Sequence, residues 1–191
     1  MISLVAFLGN YGTQYKNTRH NVAWLFEDSL SFLQFSDWKK KFQGYYTSDD
    51  TLAQRRVYFL KPETYMNLSG DSIGQLTRFY KIPPEEVLVV HDELELPMGT
   101  VSLKKGGGLG GHNGLRSTKA VLGTPDFWRL RFGIGRPDHK DIAQYVLSDF
   151  TGDEKIILSQ IFPATAQLLE DILSGKPEDF LPEWNKKKLM P

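Results

Sequence analysis

Two short apolar runs constrain the fold of this chain more than any other feature. Residues 2–8 read ISLVAFL and residues 87–90 read VLVV, and neither run alternates between apolar and polar side chains. A strand with one face in water alternates, whereas a strand covered on both faces does not. Both runs are therefore typical of inner strands in a largely parallel sheet that has helices on both faces.

Further strands and helices alternate along the chain. Additional strands are predicted at RVYFL (56–60), TVSL (100–103) and FWRLRFGI (127–134), and apolar residues recur at helical spacing over 22–33, 73–80 and 157–172. Ser72 and Gln75 predict a capping box for the second helix, which Pro83 and Pro84 should stop, and Pro163 should kink or split the third. This order predicts a single α/β domain.

Length and composition predict one intracellular domain. The 191 residues favour a single domain over residues 1–175, followed by a polar, proline-flanked and loosely held tail over 176–191. The absence of cysteine excludes disulfides, cysteine nucleophiles and thiolate metal sites. No run of eighteen apolar residues and no signal peptide are present, so we expect a cytoplasmic protein that does not span a membrane.

The charges are balanced in number but not in position. The chain has 23 basic and 23 acidic residues, yet the stretch from Lys104 to Arg136 contains only one acid, Asp126. The stretch from Asp149 to Glu183 is strongly acidic. Such asymmetry indicates either a basic binding patch on a neutral protein or an ordinary solvated face.

Polar side chains follow four of the predicted strands. If the sheet is mostly parallel, the loops after these strands meet at one edge, where open α/β sheets bind ligands. The loops carry Asn10, Tyr15 and His20 after the first strand, Asn67 after RVYFL, Asp92 after VLVV, and His112 and Asn113 after TVSL.

The last of these loops, GGGLGGHNG at 106–114, is rich in glycine. It lies mid-chain rather than after the first strand, which argues against a dinucleotide site, and it has no G-K-S/T, which excludes a P-loop. What remains is a backbone that a bulky ligand can approach closely. We therefore interpret it as a ligand-facing loop that ends at the start of a helix.

The polar residues suggest hydrolytic chemistry. A histidine and an aspartate on neighbouring loops can form a pair in which the carboxylate orients the imidazole, and His20 could then activate a water molecule. Asn10, Asn67 and Asn113 could polarise a carbonyl group, although loop asparagines are more often turn formers. The histidines share no recognised ligand spacing, so a metal site is possible but has no support.

The motifs together resemble a known family. GNYGTQYKNTRHN, KPETYMNLSG, HDELELPMG, KKGGGLGGHNGL and RLRFGIGRP occur in the order and spacing of bacterial peptidyl-tRNA hydrolases, from the first strand to about residue 173. The resemblance implies a monomeric α/β enzyme with a twisted mixed, largely parallel sheet flanked by helices on both faces, and it implies that no metal or organic cofactor is needed. It implies cleavage of the ester between the peptide and the 3′-terminal ribose of peptidyl-tRNA, which recycles tRNA from stalled or prematurely terminated translation.

The resemblance also implies roles for individual residues. His20 would be the base that activates water, and Asp92 would orient and polarise it. Substrate-binding positions would be Asn10 and Asn67 at the peptide and 3′ end, Asn113 near the scissile carbonyl, and Tyr15, Met66 and His112 along the walls. Lys104 and Arg131 would bind the 5′ phosphate of the tRNA, in a largely sequence-independent and salt-sensitive way.

Two other function classes stay open from the sequence. One is an RNA-binding factor that uses this fold without hydrolysis, which would not need the His20–Asp92 pair. The other is a metal-dependent hydrolase, which a chelator would inactivate.

Overall fold

The computed structural model describes residues 1–138 and 141–190. Its centre is one sheet of eight strands in the spatial order β2-β3-β4-β1-β5-β7-β6-β8. The strands are β1 (Leu4–Phe7), β2 (Lys39–Lys41), β3 (Gly44–Asp49), β4 (Val57–Pro62), β5 (Val87–Glu93), β6 (Thr100–Lys105), β7 (Trp128–Gly133) and β8 (Lys187–Lys188).

The sheet is mixed, with a parallel centre. Strands β4, β1, β5 and β7 run parallel, whereas β2 and β3 on one side and β6 and β8 on the other pair antiparallel. The prediction of an α/β fold around a mixed, largely parallel sheet is confirmed. The unalternating runs in β1 and β5 are fully buried, as covering on both faces requires.

The direction of β6 differs from our expectation. This strand pairs antiparallel with β7, and Lys105 at its carboxyl end lies opposite Trp128 at the start of β7. The loops after β1, β4 and β5 leave the sheet at one edge, but the loop after β6 leaves at the opposite edge. The prediction of four loops at one edge is therefore wrong for β6, and the glycine-rich loop must return along the sheet before it reaches His112.

Helices cover both faces. They are α1 (Val22–Asp28), α2 (Ser69–Tyr80), α3 (Asn113–Leu122), α4 (Ile142–Val146), α5 (Gly152–Ser174) and α6 (Leu181–Trp184). Phe26 of α1 and Leu169 of α5 belong to the core on one face. Ile73 of α2 and Leu115 of α3 belong to the core on the other face.

Two helices begin or continue differently from the prediction. Helix α2 begins at Ser69, so Ser72 lies inside it as a buried residue and the predicted capping box is wrong. A capping box is found instead at the start of α5, between Thr151 and Glu154. Helix α5 continues through Pro163 without a break, so a split at this proline is also wrong.

Helix α5 is long and apolar enough to cross a membrane by length and composition alone. In the structure it lies against the sheet, and Leu158, Ile161 and Ile172 are buried in the core. These contacts are those of a core helix in a globular domain.

The segment after residue 175 packs on the sheet. Pro177–Phe180 form a 3-10 turn, Trp184 of α6 is buried in the core, and β8 pairs with β6. The loose attachment that its polar composition predicts is therefore not observed. A domain boundary at residue 175 stays a prediction.

Candidate active site

The loop after β1 and the carboxyl end of β5 bring His20 and Asp92 together, so Asp92 lies in the strand and not in the loop after it. His20 lies in a 3-10 turn, Arg19–Asn21, that leads into α1, and Asp92 lies near the end of β5. The Nδ1 atom of His20 is 2.8 Å from the Oδ2 atom of Asp92. Because Asp92 is only 2% exposed and His20 9% exposed, this hydrogen bond is largely shielded from water.

The second oxygen of Asp92 contacts His112. The Nε2 atom of His112 lies 2.8 Å from Oδ1 of Asp92. His112 is also the N-cap of α3, where its Nδ1 atom accepts hydrogen bonds from the backbone N–H groups of Gly114 and Leu115. An Nδ1 atom that accepts carries no proton, so the ring proton is on Nε2 and is donated to Asp92.

These contacts determine the electrostatics of the pair. Burial raises the pKa of Asp92, but the adjacent His20 and His112 rings outweigh it and hold that pKa well below the usual range. Burial lowers the pKa of His20, but the charge and hydrogen bond of Asp92 outweigh it, so the net shift is upward. Asp92 is thus an anion that favours a proton on His20.

A third histidine, His91, lies beneath His112. Its ring is completely buried, 5.0 Å from the His112 ring, and its Nδ1 atom donates to the backbone oxygen of Asp92. Burial, with the neighbouring His112, lowers the pKa of His91 well below its ordinary value. His91 is therefore a neutral ring that packs against His112 and holds the backbone at Asp92.

Asn10 is held from two sides. Its Oδ1 atom accepts a 2.7 Å hydrogen bond from the backbone N–H of Met66, and its own backbone is bonded to the Asn21 side chain through both N–H and C=O. This pattern uses the amide oxygen of Asn10 and leaves its amide nitrogen to donate to a ligand. Asn21, which the sequence reasoning did not single out, could have been found only through its place beside His20 in the TRHN motif.

Helix α3 approaches the loop after β4 very closely. A Cβ atom on Gly114 would lie 2.6 Å from the Met66 Sδ atom, so a residue with a side chain would collide with Met66 at this position. The approach carries Asn113, the first residue of α3, toward Met66 and Asn67. Met66 itself is buried, whereas Asn67 and Asn113 are exposed.

The predicted residues thus fall into three groups. His20, Asp92 and His112 form one hydrogen-bonded chain, and Asn10 is bonded to Met66. Asn67 and the half-buried Tyr15 lie on the adjoining loops, and Asn113 begins α3. Among the described residues no side-chain hydrogen bond connects these three to His20, Asp92 or His112. The third group, Lys104 and Arg131, lies on β6 and β7.

Arg131 is a buried residue, whereas cations that bind phosphate at a protein surface are usually exposed. Its guanidinium group donates to Glu93 at 2.9 Å and to the Ser102 hydroxyl at 2.8 Å. Lys104 lies beside it, and burial, together with the charges of Arg131 and Arg129, lowers the pKa of Lys104. Three cations around the Glu93 carboxylate leave net positive charge at this position, which suits an anionic ligand.

Arg129 is a supporting residue that the sequence reasoning missed. It is 1% exposed and donates to the backbone oxygens of Gly108, Gly107 and Pro125. These bonds hold the glycine-rich loop against β7, between Lys104 and His112. The alternating arginines in RLRF were the available signal, since they place Arg129 on the same face of β7 as Arg131.

One cluster offers metal-ligand atoms. Single atoms of His20, Asp92 and His112 lie within 4.8 Å of one another, and imidazole and carboxylate groups are both ligands of divalent cations. In the structure the same atoms are hydrogen-bonded to each other at 2.8 Å. A cation would have to replace both hydrogen bonds.

Comparison with known proteins connects this geometry to one family. The family model for peptidyl-tRNA hydrolase matches residues 4–191. A peptidyl-tRNA hydrolase of Treponema pallidum is 47% identical over 196 aligned positions, covering 99% of this chain and 97% of that protein. Another, from Neisseria meningitidis, is 44% identical and covers 93% of this chain and 94% of its own length. The crystal structure of the Acinetobacter baumannii peptidyl-tRNA hydrolase superimposes with a TM-score of 0.90 at 34% identity, covering 99% and 97% of the two chains.

Proposed function

The chain belongs to the peptidyl-tRNA hydrolase family, and we propose that it cleaves its substrate with a water molecule activated by His20. It is an enzyme that hydrolyses the ester between the peptide and the tRNA of peptidyl-tRNA. This membership confirms the resemblance that the five sequence motifs indicated.

The observation that carries the mechanism is the hydrogen-bonded chain of His20, Asp92 and His112. Because Nδ1 of His20 donates to Asp92, its Nε2 atom is the one that can accept a proton. Nε2 takes a proton from a water molecule while the water oxygen attacks the ester carbonyl, and Asp92 stabilises the imidazolium that forms.

The second half of the reaction returns that proton. The tetrahedral intermediate collapses, the bond between the carbonyl carbon and the ribose oxygen breaks, and the imidazolium of His20 protonates the leaving ribose oxygen. The peptide leaves as a carboxylic acid and the tRNA leaves with a free 3′ terminus. Donors near the carbonyl oxygen, for which we propose the amide groups of Asn10 and Asn113, stabilise the negative charge of the intermediate.

Substrate binding involves the surrounding loops. We assign Asn10 and Asn67 to the peptide and 3′ end, with Tyr15 and Met66 as wall residues. Both ring nitrogens of His112 are already bonded, to Asp92 and to the start of α3. His112 therefore lines the site and acts mainly by holding Asp92, rather than by donating a hydrogen bond to the substrate.

The tRNA contact lies on β6 and β7. Lys104 and Arg131 bind the 5′ phosphate of the acceptor stem, where Glu93 and Ser102 orient the Arg131 guanidinium group. The enzyme works in the cytoplasm as a monomer and recycles tRNA from stalled translation. The net positive charge around Glu93 supports the phosphate contact.

One experiment separates the candidate functions. Hydrolysis of N-acetylated aminoacyl-tRNA is measured for the wild type and for His20→Gln, each with and without EDTA. We expect the wild type to keep its activity in EDTA and His20→Gln to lose it in both conditions. Binding of tRNA without cleavage by the wild type would favour an RNA-binding factor.

A metal-dependent hydrolase is the second candidate, because His20, Asp92 and His112 offer three ligand atoms close together. Loss of wild-type activity in EDTA, with recovery on adding Zn²⁺ or Mg²⁺, would favour this candidate. The pairing of the same atoms with each other, and the use of Nδ1 of His112 by α3, support the metal-independent reaction instead.

A further inference from the structure

The lysine run at residues 186–188 forms the edge of the sheet next to the predicted phosphate site. In the register of β8 with β6, Lys188 lies opposite Thr100 and Lys187 lies opposite Val101. Lys186 precedes Lys187 by one residue, so it lies at the level of Ser102. The run is therefore part of the sheet and not a free tail.

The register also shows which face of the sheet each lysine occupies. Directly opposed residues share a face, and consecutive residues alternate. Lys187 shares the face of Val101, which belongs to the core under α5, and it pairs with Glu183. Lys186 and Lys188 are on the other face and are exposed.

That other face already carries the predicted phosphate ligands. Ser102 lies opposite Arg131, and Lys104 lies opposite Arg129, so all four side chains are on the face of Lys186 and Lys188. The basic face, as we name it, comprises Lys104, Arg129, Arg131, Lys186 and Lys188. Over β1, β4 and β5 the same side of the sheet is covered by α2 and α3.

The two parts of the basic face are physically connected. Ser102 accepts a hydrogen bond from Arg131 and donates its own hydroxyl to the backbone oxygen of Asn185, so β8 is attached next to the Arg131 guanidinium group. The charge of Lys186 contributes to lowering the pKa of Lys104, which reflects their proximity. Two carboxylates, Glu93 and Asp126, face these cations, so positive charge is in excess.

We propose that Lys186 and Lys188 bind the sugar-phosphate backbone of the tRNA acceptor stem and extend the phosphate site of Lys104 and Arg131. The proposal rests on the proposed function, because it assumes that Lys104 and Arg131 contact the same tRNA. Among the described residues Lys186 and Lys188 are exposed and form no ion pair. Such lysines are typical of backbone contacts, which position a nucleic acid without reading its sequence.

The spacing favours several phosphates rather than one. Adjacent strands are about 4.8 Å apart, so the backbones at Lys186 and Arg131, two strands apart, are separated by about 10 Å. Lys186 and Lys188 are about 7 Å apart along β8. Side chains at these intervals can follow a run of phosphates but cannot converge on a single one without bending toward it.

The test removes two charges from each face in turn. Lys186→Gln/Lys188→Gln changes the basic face, and Lys155→Gln/Lys187→Gln is the control, because both control lysines lie on the α5 side of the sheet. The Michaelis constant for N-acetylated aminoacyl-tRNA is measured from 50 to 200 mM salt. A short substrate that keeps only the 3′-terminal adenosine ester is measured in parallel.

Loss of two phosphate contacts should reduce the salt-dependence slope by about 2. The ratio of variant to wild-type Michaelis constant should therefore fall about tenfold between 50 and 200 mM salt. We expect this fall only for the Lys186→Gln/Lys188→Gln variant and only with full-length tRNA. The kcat of this variant, and its Michaelis constant for the short substrate, should equal those of the wild type. Equal slopes for the two double variants would overturn the proposal.

Two further measurements keep the outcomes distinct. Lys186→Arg/Lys188→Arg keeps the charges and should behave as the wild type, so a loss in this variant would indicate damage to β8 rather than to phosphate binding. If the wild type binds tRNA but cleaves neither substrate, the proposed hydrolysis fails. The salt dependence of tRNA binding by the same variants then decides the role of Lys186 and Lys188 on its own.

Discussion

The Nε2 atom of His112 lies 2.8 Å from the Oδ1 atom of Asp92, while the Nδ1 atom of the same ring caps α3. One side chain therefore fixes both the start of a helix and the position of the proposed catalytic carboxylate. Different replacements of His112 can therefore remove one of these two functions and keep the other.

Replacement of His112 by alanine should reduce both stability and turnover. The N-cap of α3 is lost, which costs about 1 kcal/mol in unfolding free energy, and Asp92 loses one of its two donors. His112→Asn restores a side chain that can cap the helix but is too short to span both partners. We expect His112→Asn to recover the melting temperature and not kcat; recovery of kcat as well would show that the contact with Asp92 is dispensable.

The pH dependence of hydrolysis should change in Asp92→Asn. In the wild type the activity should rise with pH through the pKa of His20, which lies above the ordinary imidazole value of about 6.5. Without the carboxylate charge only burial remains to shift the pKa of His20, so that pKa should fall and the acidic limb should move to lower pH. The plateau should drop by roughly 10²–10⁴-fold, since the imidazolium loses its partner.

The measurement is kcat/KM of N-acetylated aminoacyl-tRNA between pH 5 and 9. Asp92→Glu, which keeps the charge, is the control and should keep an acidic limb near that of the wild type. An acidic limb at the same pH in wild type and Asp92→Asn would mean that another group, and not His20, is titrating.

Two replacements of Asn10 should separate its contribution to stability from its contribution to substrate binding. Asn10→Asp keeps an oxygen that accepts from the Met66 N–H group, whereas Asn10→Ala leaves that buried donor without a partner. We expect Asn10→Ala to lose about 1–3 kcal/mol of unfolding free energy and Asn10→Asp much less. Both should lower kcat/KM by about 10²-fold, because both lack the amide nitrogen. Wild-type activity in Asn10→Asp would contradict a donor role for this amide.

Lys104 and Arg131 should differ although both are assigned to the same phosphate. Arg131→Gln removes the cation that is hydrogen-bonded to the Glu93 carboxylate, so we expect a loss of about 1.5–3 kcal/mol in unfolding free energy. Lys104→Gln should leave stability nearly unchanged and reduce the salt-dependence slope of the Michaelis constant by about 1. Denaturant unfolding checks the first expectation, with Arg131→Gln/Glu93→Gln as the variant that should regain stability.

The sequence predicted the parts of the fold that depend on local pattern. The unalternating runs of β1 and β5 identified the buried parallel strands, and the Pro83–Pro84 pair marked the end of α2. The direction of β6 was not predictable in this way, because strand direction depends on which neighbour a strand pairs with. The short edge strands β2 and β8 were missed because their lysine-rich sequences are typical of loops, and β3, which lies between β2 and β4, was missed as well.

The candidate site was likewise predictable only in part from the sequence. His20 and Asp92 were paired from their positions after two strands, and the structure brings them to 2.8 Å. The hydrogen bond of His112 to Asp92 and the support of the glycine-rich loop by Arg129 join separate segments of the chain, and no local pattern encodes such contacts. Their roles in the reaction stay predictions for the variants above.

The pairing of β8 with β6 also has a consequence for how the chain is made. Ser102 of β6 is hydrogen-bonded to Asn185, which lies just before β8, and the two residues are 83 residues apart in the chain. At about 5–20 residues per second of synthesis, the outer edge of β6 waits roughly 4–17 s for its partner. An unpaired edge can recruit another chain during this time, and the adjacent charges of Lys104 and Lys105 oppose such pairing. The same lysine charge that suits a ribonucleic acid in the finished protein thus protects the unfinished one from aggregation.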